Sequence, residues 1–549
     1  MTSWLSGTPI SAPFTIGSGV VATAPSVLAR LAREIPQLGF LTTKTLSLLP
    51  REGYREPIIY EYYPGCFINA VGLANPGAAA FAGEIAPHLP LHNNKPLVVS
   101  IMGENPEEFV ACAKILDPVA SAFELNLSCP HVKGAGQSVG SDPEAVKTII
   151  QLMKKTFSKP VIAKLSPNLG DIGASAQLCE RAGVDGLSLI NTVGPGFVAD
   201  DAGSPILSNE VGGISGRGIL PIGLKAVRDV ARVTHIPIIA SGGIAGPYDV
   251  RAYQKAGASF FSVGSALAGK DTQQIISFFQ YLAQGIGPSN TPHRPQIADQ
   301  PKGILTAYTK TTVVRNSPAA DDLFVLELAD TQPCNPGSFF FLRIPAVGEK
   351  PFSPMSHNPH RYLIRAVGPF TKRCQALQTG DEIYMRGPYG KGFPEPPASR
   401  PLVLIAGGTG AAPLLMAAAR WQRQVGRMFI GFSKDIQPNF QRELEKAVPR
   451  VRVVVDAPGE VGAILSDLAQ DMRSEKILYR NCVAFLCGPK RMTGAAVALL
   501  LDAVPRSRIF VAREDLMKCG LGLCGSCATE NGLRSCIDGP VFPLEYEQP

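Results

Sequence analysis

The 549-residue sequence has no long apolar run and no dense block of one charge. No stretch approaches the roughly 18 apolar residues that a membrane-spanning helix requires, and the first residues lack the basic segment and apolar core of a secretory leader. Lysine and arginine are scattered, and the formal net charge of +7 is small for this length, which argues against a nucleic-acid-binding protein. We therefore expect a cytoplasmic protein with neither a nucleic-acid nor a membrane partner.

The composition is that of a folded chain of several domains. Hydrophobic residues make up 45% and charged residues 18%, which are ordinary values for a globular protein. The length exceeds the size at which one hydrophobic core stops growing. In a reducing compartment, clustered cysteines more often serve metals or catalysis than disulfides. Four of the 12 cysteines lie close together near the C-terminus: Cys519, Cys524, Cys527 and Cys536.

The first half of the chain, residues 1–285, has the pattern of a parallel α/β fold. Short β-rich apolar runs are each followed by a small or polar cluster and then by a helix-like segment. We predict strands at Phe67–Gly72, Leu97–Met102, Ala122–Leu127, Val161–Leu165, Gly186–Ile190, Pro237–Ala240 and Phe260–Val263, with an eighth near Phe14. This number and spacing are typical of a (β/α)8 TIM barrel, which usually has about 250 residues.

The second half changes character after a segment rich in proline, glycine and asparagine, residues 286–303, which predicts a linker. Alternating patterns within 304–398, such as Phe324–Leu328 and Phe339–Ile344, predict an antiparallel β-barrel. A new α/β unit is predicted over 399–512, and residues 513–549 form a small cysteine-containing domain.

Chemistry in a TIM barrel takes place at the carboxyl ends of the strands, so the polar and glycine residues predicted there are the candidate site residues. They are Lys44, Asn69, Asn126, Ser128, Cys129, Lys164, Asn191, Thr192, Ser241, Gly242, Gly243, Gly264 and Ser265. Glycines after the last two strands predict a phosphate site, where main-chain N–H groups approach an anion. Amides at successive strand ends, with two lysines that can hold negative charge on a reduced flavin, predict a planar polar substrate.

Six motifs carry a resemblance that covers the whole first half. ELNLSCPHV (124–132), FINAVGLANPG (67–77), TTKT (42–45), VIAKLSPN (161–168), INT (190–192) and ASGGI (240–244) resemble the catalytic subunit of class 1 dihydroorotate dehydrogenases. The resemblance implies that Cys129 is the general base and that Asn69, Asn126, Asn191 and Thr192 bind the substrate. It implies FMN contacts from Ser18, Lys44, Lys164, Gly216, Ser241, Gly242, Gly243, Gly264 and Ser265. Position 131 is His, where the family usually has Asn.

A thiol base has a consequence for the pH dependence of the reaction. A free thiol with a pKa near 8.5 is a poor base at neutral pH unless nearby positive charge stabilises its thiolate. We therefore expect activity to rise toward alkaline pH.

The four clustered cysteines have the CxxxxCxxC...C arrangement of plant-type [2Fe-2S] sites, in which short spacings let one loop wrap the cluster. Zinc is the alternative ion, although zinc motifs favour CxxC pairs.

The Gly-rich turn IAGGTGAAP (405–413) places glycines between a predicted strand and helix, where a pyrophosphate can bind. With KPFSP (350–354), RGPYGKGF (386–393) and FLCGPKRM (485–492), it resembles the ferredoxin reductase superfamily. The resemblance implies FAD contacts from Lys350, Phe352, Ser353 and Gly387 and NAD contacts from Gly407, Gly408 and Gly410. Lys350 stands where Arg is usual. With the cysteine loop, this half looks like the electron-transfer subunit of the NAD-linked class, class 1B, here fused to the barrel.

The two resemblances together imply oxidation of dihydroorotate to orotate in pyrimidine biosynthesis, with electrons passing from FMN through [2Fe-2S] and FAD to NAD. They also imply a homodimer formed through the barrel. One alternative is an NAD(P)H-linked reductase of another pyrimidine or an enone with the same cofactors. Another is a non-catalytic flavin redox sensor, but a sensor needs no proton base such as Cys129.

Overall fold

The computed structural model describes Leu5 and residues 10–127, 142–286, 305–448, 450–456 and 462–546. The chain divides into two compact units. Unit 1 contains Met1–Thr306 and Leu521–Leu533, and unit 2 contains Ala307–Gly520 and Arg534–Pro549. In the part of the chain that the structure describes, no helix has the length and apolarity needed to cross a bilayer.

Unit 1 is built around a parallel eight-stranded sheet and a smaller antiparallel sheet of four strands. Its strands are β1 (Phe14–Ile16), β2 (Leu41–Thr42), β3 (Ile59–Tyr63), β4 (Cys66–Asn69), β5 (Leu97–Ile101), β6 (Ala122–Asn126), β7 (Val161–Leu165), β8 (Gly186–Leu189), β9 (Val193–Phe197), β10 (Val211–Gly216), β11 (Ile238–Ser241) and β12 (Phe260–Val263). The large sheet has the order β1-β12-β11-β8-β7-β6-β5-β2, and a parallel bridge from Phe14 to Leu38 brings its two ends together. It is therefore a nearly closed barrel, as predicted.

One predicted barrel strand is wrong. The segment Phe67–Gly72 contributes to β4, which lies in the antiparallel sheet of order β3-β4-β10-β9. The eighth barrel strand is β2, Leu41–Thr42, which pairs with β5. Two residues are too short to show the alternation by which strands are recognised, whereas β4 has the apolar run of a barrel strand.

Helices alternate with the barrel strands and cover the sheet. They are α1 (Pro25–Glu34), α2 (Ala78–Ile85), α3 (Pro106–Leu116), α4 (Pro143–Thr156), α5 (Ile172–Ala182), α6 (Leu220–Ala231), α7 (Pro247–Ala256) and α8 (Thr272–Ala283). Side-chain caps define several starts: Asp271 and Gln274 form a capping box on α8, and Asn105 accepts from Glu108 N at α3. Buried apolar side chains of the strands, such as Val98, Ile162 and Phe260, fill the barrel interior.

Unit 2 contains an antiparallel sheet of seven strands and a second, mostly parallel sheet of six. Its strands are β13 (Thr309–Pro318), β14 (Leu323–Leu328), β15 (Phe339–Ile344), β16 (Gly348–Phe352), β17 (Ser356–His357), β18 (His360–Arg365), β19 (Glu382–Tyr389), β20 (Leu402–Gly407), β21 (Val425–Phe432), β22 (Val451–Val455), β23 (Val483–Cys487), β24 (Ile509–Ala512) and β25 (Val541–Pro543). Its helices are α9 (Pro369–Gln375), α10 (Ala411–Arg420), α11 (Pro438–Ala447), α12 (Ala463–Ser474), α13 (Lys476–Asn481) and α14 (Lys490–Leu500).

The six-stranded sheet has the order β22-β21-β20-β23-β24-β25. The chain runs outward from β20 in one direction and then returns to β23 on the other side, so the strand order reverses between β20 and β23. Such a switch point is where open parallel sheets bind ligands. The last strand, β25, comes from the segment expected to form the cysteine-containing domain, and it pairs antiparallel with β24.

Candidate active site and electron-transfer site

The predicted barrel residues lie at the carboxyl edge of the eight-stranded sheet. Ser18 and Lys44 follow β1 and β2, Asn126 ends β6, and Lys164 is the fourth residue of β7. The others at this edge are Asn191 and Thr192 after β8, Ser241, Gly242 and Gly243 at the end of β11, and Gly264 and Ser265 after β12. Asn69 and Gly216 end β4 and β10 of the neighbouring antiparallel sheet.

Thr45, which the sequence analysis did not single out, is the centre of a hydrogen-bond network at this edge. Its hydroxyl lies 3.1 Å from the Ser18 hydroxyl and 3.0 Å from that of Ser100, and it accepts from Asn126 Nδ2 at 3.1 Å. Asn191 Nδ2 donates in turn to Asn126 Oδ1 at 3.4 Å. The network thus brings together one predicted FMN residue and two predicted substrate amides.

The same network continues to a buried carboxylate beneath Lys164. Ser100 Oγ donates to Glu124 Oε1 at 2.9 Å, and Lys164 Nζ lies 4.0 Å from that oxygen. Glu124 is 4% exposed, and a buried charge is tolerated only with partners. Glu124 and Ser100 were not predicted as site residues. The available signal was a polar residue in the interior of a mostly apolar strand: Glu124 in AFELN and Ser100 in LVVSI.

The antiparallel sheet brings Asn69 next to Thr192. Asn69 pairs with Gly213 across β4 and β10, and a Cβ atom on Gly213 would overlap the side chain of Thr192. Glycine at position 213 therefore leaves room for the Thr192 side chain. The main-chain N–H of Thr192 donates a hydrogen bond to Asn191 Oδ1 at 2.8 Å. Hydrogen bonds therefore connect Asn126, Asn191 and Thr192, and Asn69 pairs across the strands with the glycine that packs on Thr192.

The turns after β11 and β12 have the form of an anion site. The two strands are neighbours, with Ser241 opposite Ser262, so their following turns lie side by side. Gly242 and Gly243 have φ of +117° and +76°, and a Cβ on Gly243 would lie 2.7 Å from Leu220 Cβ. Tyr253 OH donates to Gly242 O at 2.7 Å and holds the turn. Glycines with accessible main-chain N–H groups fit the phosphate of FMN.

Gly216 has a structural explanation of its own. Its φ is +94°, and a Cβ would overlap the main-chain oxygen of Gly65. The tight packing of β10 on that turn requires glycine here, and a contact from Gly216 to a cofactor remains a prediction.

The predicted base lies outside the described residues. Ser128, Cys129 and His131 belong to the segment 128–141, directly after β6 and Asn126.

Two predicted cluster ligands, Cys524 and Cys527, belong to unit 1, in the segment Leu521–Leu533. Both are buried. Val21 N donates to Leu523 O at 2.7 Å, and Gly269 N donates to Leu521 O at 3.0 Å. Val21 lies three residues after Ser18, and Gly269 lies four residues after Ser265. The segment that carries the two cysteines is therefore bound to the loops that carry two predicted FMN contacts.

The other two predicted ligands, Cys519 and Cys536, belong to unit 2 and are also buried. Among the described residues, no group of three or more His, Cys, Asp or Glu side chains is placed to hold a metal ion. Four buried cysteines within 18 residues provide the soft thiolate donors that iron-sulfur clusters use. In donor chemistry the residues fit a [2Fe-2S] cluster.

The predicted FAD residues lie on or next to two strands of the seven-stranded sheet, separated by one strand. Lys350 and Phe352 are in β16, Ser353 follows it, and Gly387 is in β19, with β15 between these two strands. The ring of Phe352 stacks on that of Phe370 with centroids 6.3 Å apart. A Cβ on Gly387, whose φ is +137°, would lie 2.9 Å from Phe340. The motif residues thus share one region of the sheet, as a flavin site requires.

The Gly-rich turn lies at the switch point of the six-stranded sheet. Gly407 ends β20, and Gly408–Gly410 form a 3-10 turn into α10. A Cβ on Gly410 would lie 2.5 Å from the main-chain oxygen of Cys487, so the turn packs directly on the CGP segment after β23. Arg365 Nη2 would be 3.5 Å from a Cβ on Gly408. Arg365 is thus a cation beside the predicted pyrophosphate turn that the sequence analysis missed.

Comparisons with known proteins match both ends of the chain. The family model described as dihydroorotate dehydrogenase matches residues 2–284. The model described as the iron-sulfur cluster binding domain of dihydroorotate dehydrogenase B matches residues 514–546.

Curated relatives match the barrel half. A protein of Pyrococcus horikoshii named dihydroorotate dehydrogenase B (NAD(+)), catalytic subunit, is 46% identical over 255 residues, covering 46% of this chain and 82% of the relative. The protein of that name from Pyrococcus abyssi is 43% identical over 282 residues, 51% of this chain and 91% of the relative. That of Pelobacter propionicus is 40% identical over 235 residues, 42% of this chain and 77% of the relative.

Proposed function

Because the chain belongs to the dihydroorotate dehydrogenase family, we propose that it oxidises dihydroorotate to orotate and reduces NAD+ to NADH. One observation carries the proposal beyond family membership. The amides of Asn126 and Asn191 are joined through Thr45 and Ser100 to the Glu124 and Lys164 pair, at the carboxyl edge of the barrel. This edge is where barrel enzymes carry out their chemistry.

Substrate binding follows from the polar groups at that edge. Dihydroorotate is a polar ring with carbonyl and N–H edges, and an amide side chain offers both a donor and an acceptor. We assign its recognition to Asn69, Asn126, Asn191 and Thr192. The hydrogen bonds among three of these residues hold the amides in one orientation before substrate arrives, which reduces the ordering needed on binding.

The proton and the electrons leave the substrate by separate routes. Cys129 takes a proton from one ring carbon as general base, and Lys44 and Lys164 supply positive charge at the edge where a reduced flavin would accumulate negative charge. FMN held at this edge would supply the hydride acceptor for the neighbouring carbon, and a cluster and FAD held in the second half would supply the electron carriers to NAD+. Glu124 keeps the Lys164 ammonium in place.

For the electron-transfer half we propose that Cys519, Cys524, Cys527 and Cys536 ligate the [2Fe-2S] cluster. We assign FAD to Lys350, Phe352, Ser353 and Gly387, and the NAD pyrophosphate to Gly407, Gly408 and Gly410. The relatives are named as NAD(+)-dependent enzymes, which supports NAD as the acceptor. Fusion of the two halves gives a fixed stoichiometry and a high effective concentration of one centre near the other.

We also propose that the barrel forms a homodimer, that the enzyme is cytoplasmic, and that its domains are 1–285, 304–398, 399–512 and 513–549. The assignment of Leu521–Leu533 to unit 1 indicates that part of the last domain packs with the barrel.

The test is anaerobic reduction of the purified protein by dihydroorotate, followed by NAD+. We expect bleaching of flavin and cluster absorbance and then NADH formation in the parent and in Cys179→Ala, a control at a buried cysteine of α5. In Cys129→Ala, bleaching by dihydroorotate should be lost while reduction by NADH persists. If dihydroorotate leaves the parent oxidised while NADH reduces it, the substrate assignment is wrong, and the reductase of another pyrimidine or an enone becomes the better hypothesis.

A further inference from the structure

The strongest feature outside the sites described above is a buried cluster of charged and aromatic side chains in unit 2. Arg386 on β19 is 2% exposed, and Glu349 on β16 is 1% exposed. The two form a double hydrogen-bonded ion pair, with Nε to Oε2 at 3.0 Å and Nη2 to Oε1 at 2.6 Å. Such paired geometry orients a guanidinium rigidly.

Further partners complete the orientation of Arg386. Tyr308 OH donates to Glu349 Oε2 at 2.6 Å, and Arg386 Nη1 donates to Tyr389 OH at 2.9 Å. The guanidinium carbon lies 3.9 Å from the centroid of the Phe341 ring, within the range of a cation–π interaction. Burial would lower the pKa of Arg386, but the Glu349 carboxylate together with the hydroxyls of Tyr389 and Tyr308 outweighs it, so the pKa lies well above its ordinary value. The side chain is therefore a fixed cation.

The guanidinium also contacts a segment outside the seven-stranded sheet. Arg386 Nη1 donates to the main-chain oxygen of Cys519 at 3.0 Å, across 133 residues of sequence. The next residue gives independent evidence of the same packing. Gly520 has φ of +75°, and a Cβ there would lie 2.9 Å from Phe341 and 3.4 Å from Arg386 Nη1. The main chain at 519 and 520 thus lies directly on the Arg386 and Phe341 pair.

We propose that Arg386 is a positioning residue for the iron-sulfur cluster, which binds the main chain of Cys519 to the seven-stranded sheet and thereby sets the place of the Cys519 thiolate. The inference rests on the proposed function, because it needs Cys519 to be a cluster ligand. It assigns to the first residue of RGPYGKGF a role toward the cluster, while Lys350, Phe352, Ser353 and Gly387 remain the residues assigned to FAD.

The test compares Arg386→Lys with Arg343→Lys in the anaerobically purified full chain. Arg343 is a matched control, because it is also 2% exposed and lies over the rings of Tyr308 and Tyr384 in the same sheet. Iron, sulfide and FAD per chain, the electron paramagnetic resonance spectrum of the reduced cluster and its midpoint potential are measured. Lysine keeps the charge but not the forked geometry, so we expect a changed spectrum and lower iron and sulfide content with FAD retained.

A second variant distinguishes loss of the Arg386 contact from misfolding caused by an unpaired buried charge. Glu349→Gln/Arg386→Gln removes both charges together, so neither is left buried alone. We expect the same loss of iron and sulfide and the same change of spectrum as in Arg386→Lys, with FAD retained, because glutamine cannot form the forked hydrogen bonds of the guanidinium. Parent-like iron content, spectrum and potential in both variants would overturn the role of Arg386 while leaving the proposed function intact. A parent protein that binds FAD and FMN but no iron-sulfur cluster would overturn both.

Discussion

Replacing Glu124 by glutamine should slow the reduction of FMN by dihydroorotate about ten- to hundredfold. Lys164 Nζ lies 4.0 Å from Glu124 Oε1. Two unit charges at this separation attract by about 4 kcal/mol at an effective dielectric constant near 20. Desolvation of the buried carboxylate offsets part of this, and a hydrogen bond or contact with a charged group contributes about 1.5–3 kcal/mol net. Since about 1.4 kcal/mol corresponds to a factor of ten, the expected slowing follows if Lys164 must be held in the transition state.

The assay is stopped-flow reduction of the flavin by dihydroorotate without NAD+. The control is Glu84→Gln, the same substitution at an exposed position on α2. FMN content and the thermal unfolding midpoint show whether each variant keeps its fold and cofactor.

A double-mutant comparison decides whether Glu124 acts through Lys164. If it does, Glu124→Gln/Lys164→Met should be no slower than Lys164→Met alone. Rate losses that multiply would show that the two side chains act independently and would refute the reasoning. An unchanged rate in Glu124→Gln would refute it more simply.

Three further predictions concern the barrel. Gly243→Ala should lose FMN, because the residue has φ of +76° and the added Cβ would lie 2.7 Å from Leu220. The loss would be measured as a lower flavin-to-protein ratio. Gly83→Ala, which has open space around the added Cβ, should keep its FMN. Thr45→Val should raise the KM for dihydroorotate about tenfold by removing a hydrogen bond from Asn126. Thr148→Val, at an exposed position of α4, should leave it unchanged. Burial lowers the pKa of Lys95 from 10.5 to about 8, so between these values the unfolded chain binds more protons than the folded one. Stability should therefore rise with pH across that window in the parent relative to Lys95→Met, and parallel unfolding midpoints would contradict this.

The cofactor motifs were readable from the sequence because each depends on local spacing. The four cysteines, the glycines at 407, 408 and 410, and the glycine pair at 242 and 243 are each separated by only a few residues, so one loop determines their arrangement. The structure places both glycine groups at carboxyl ends of parallel strands, as predicted. The roles of the individual site residues stay predictions.

Strand partners could not be read in the same way. An apolar run has the same pattern whether it pairs in the barrel or in a neighbouring sheet, which is why Phe67–Gly72 was assigned to the barrel and Leu41–Thr42 was missed. Register and sheet membership depend on partners far along the chain.

By itself the sequence determined the barrel followed by two further sheets, the family, and the residues that carry its motifs, since periodicity and short spacings are local properties. The tertiary structure alone decided that Thr45, Ser100 and Glu124 connect the predicted amides to Lys164, because they sit on strands that are far apart in the chain but adjacent in the sheet. It also decided that Arg386 bonds to Cys519. A hydrogen bond forms wherever folding brings a donor to an acceptor. The local sequence around either residue does not indicate which distant residue will be its partner.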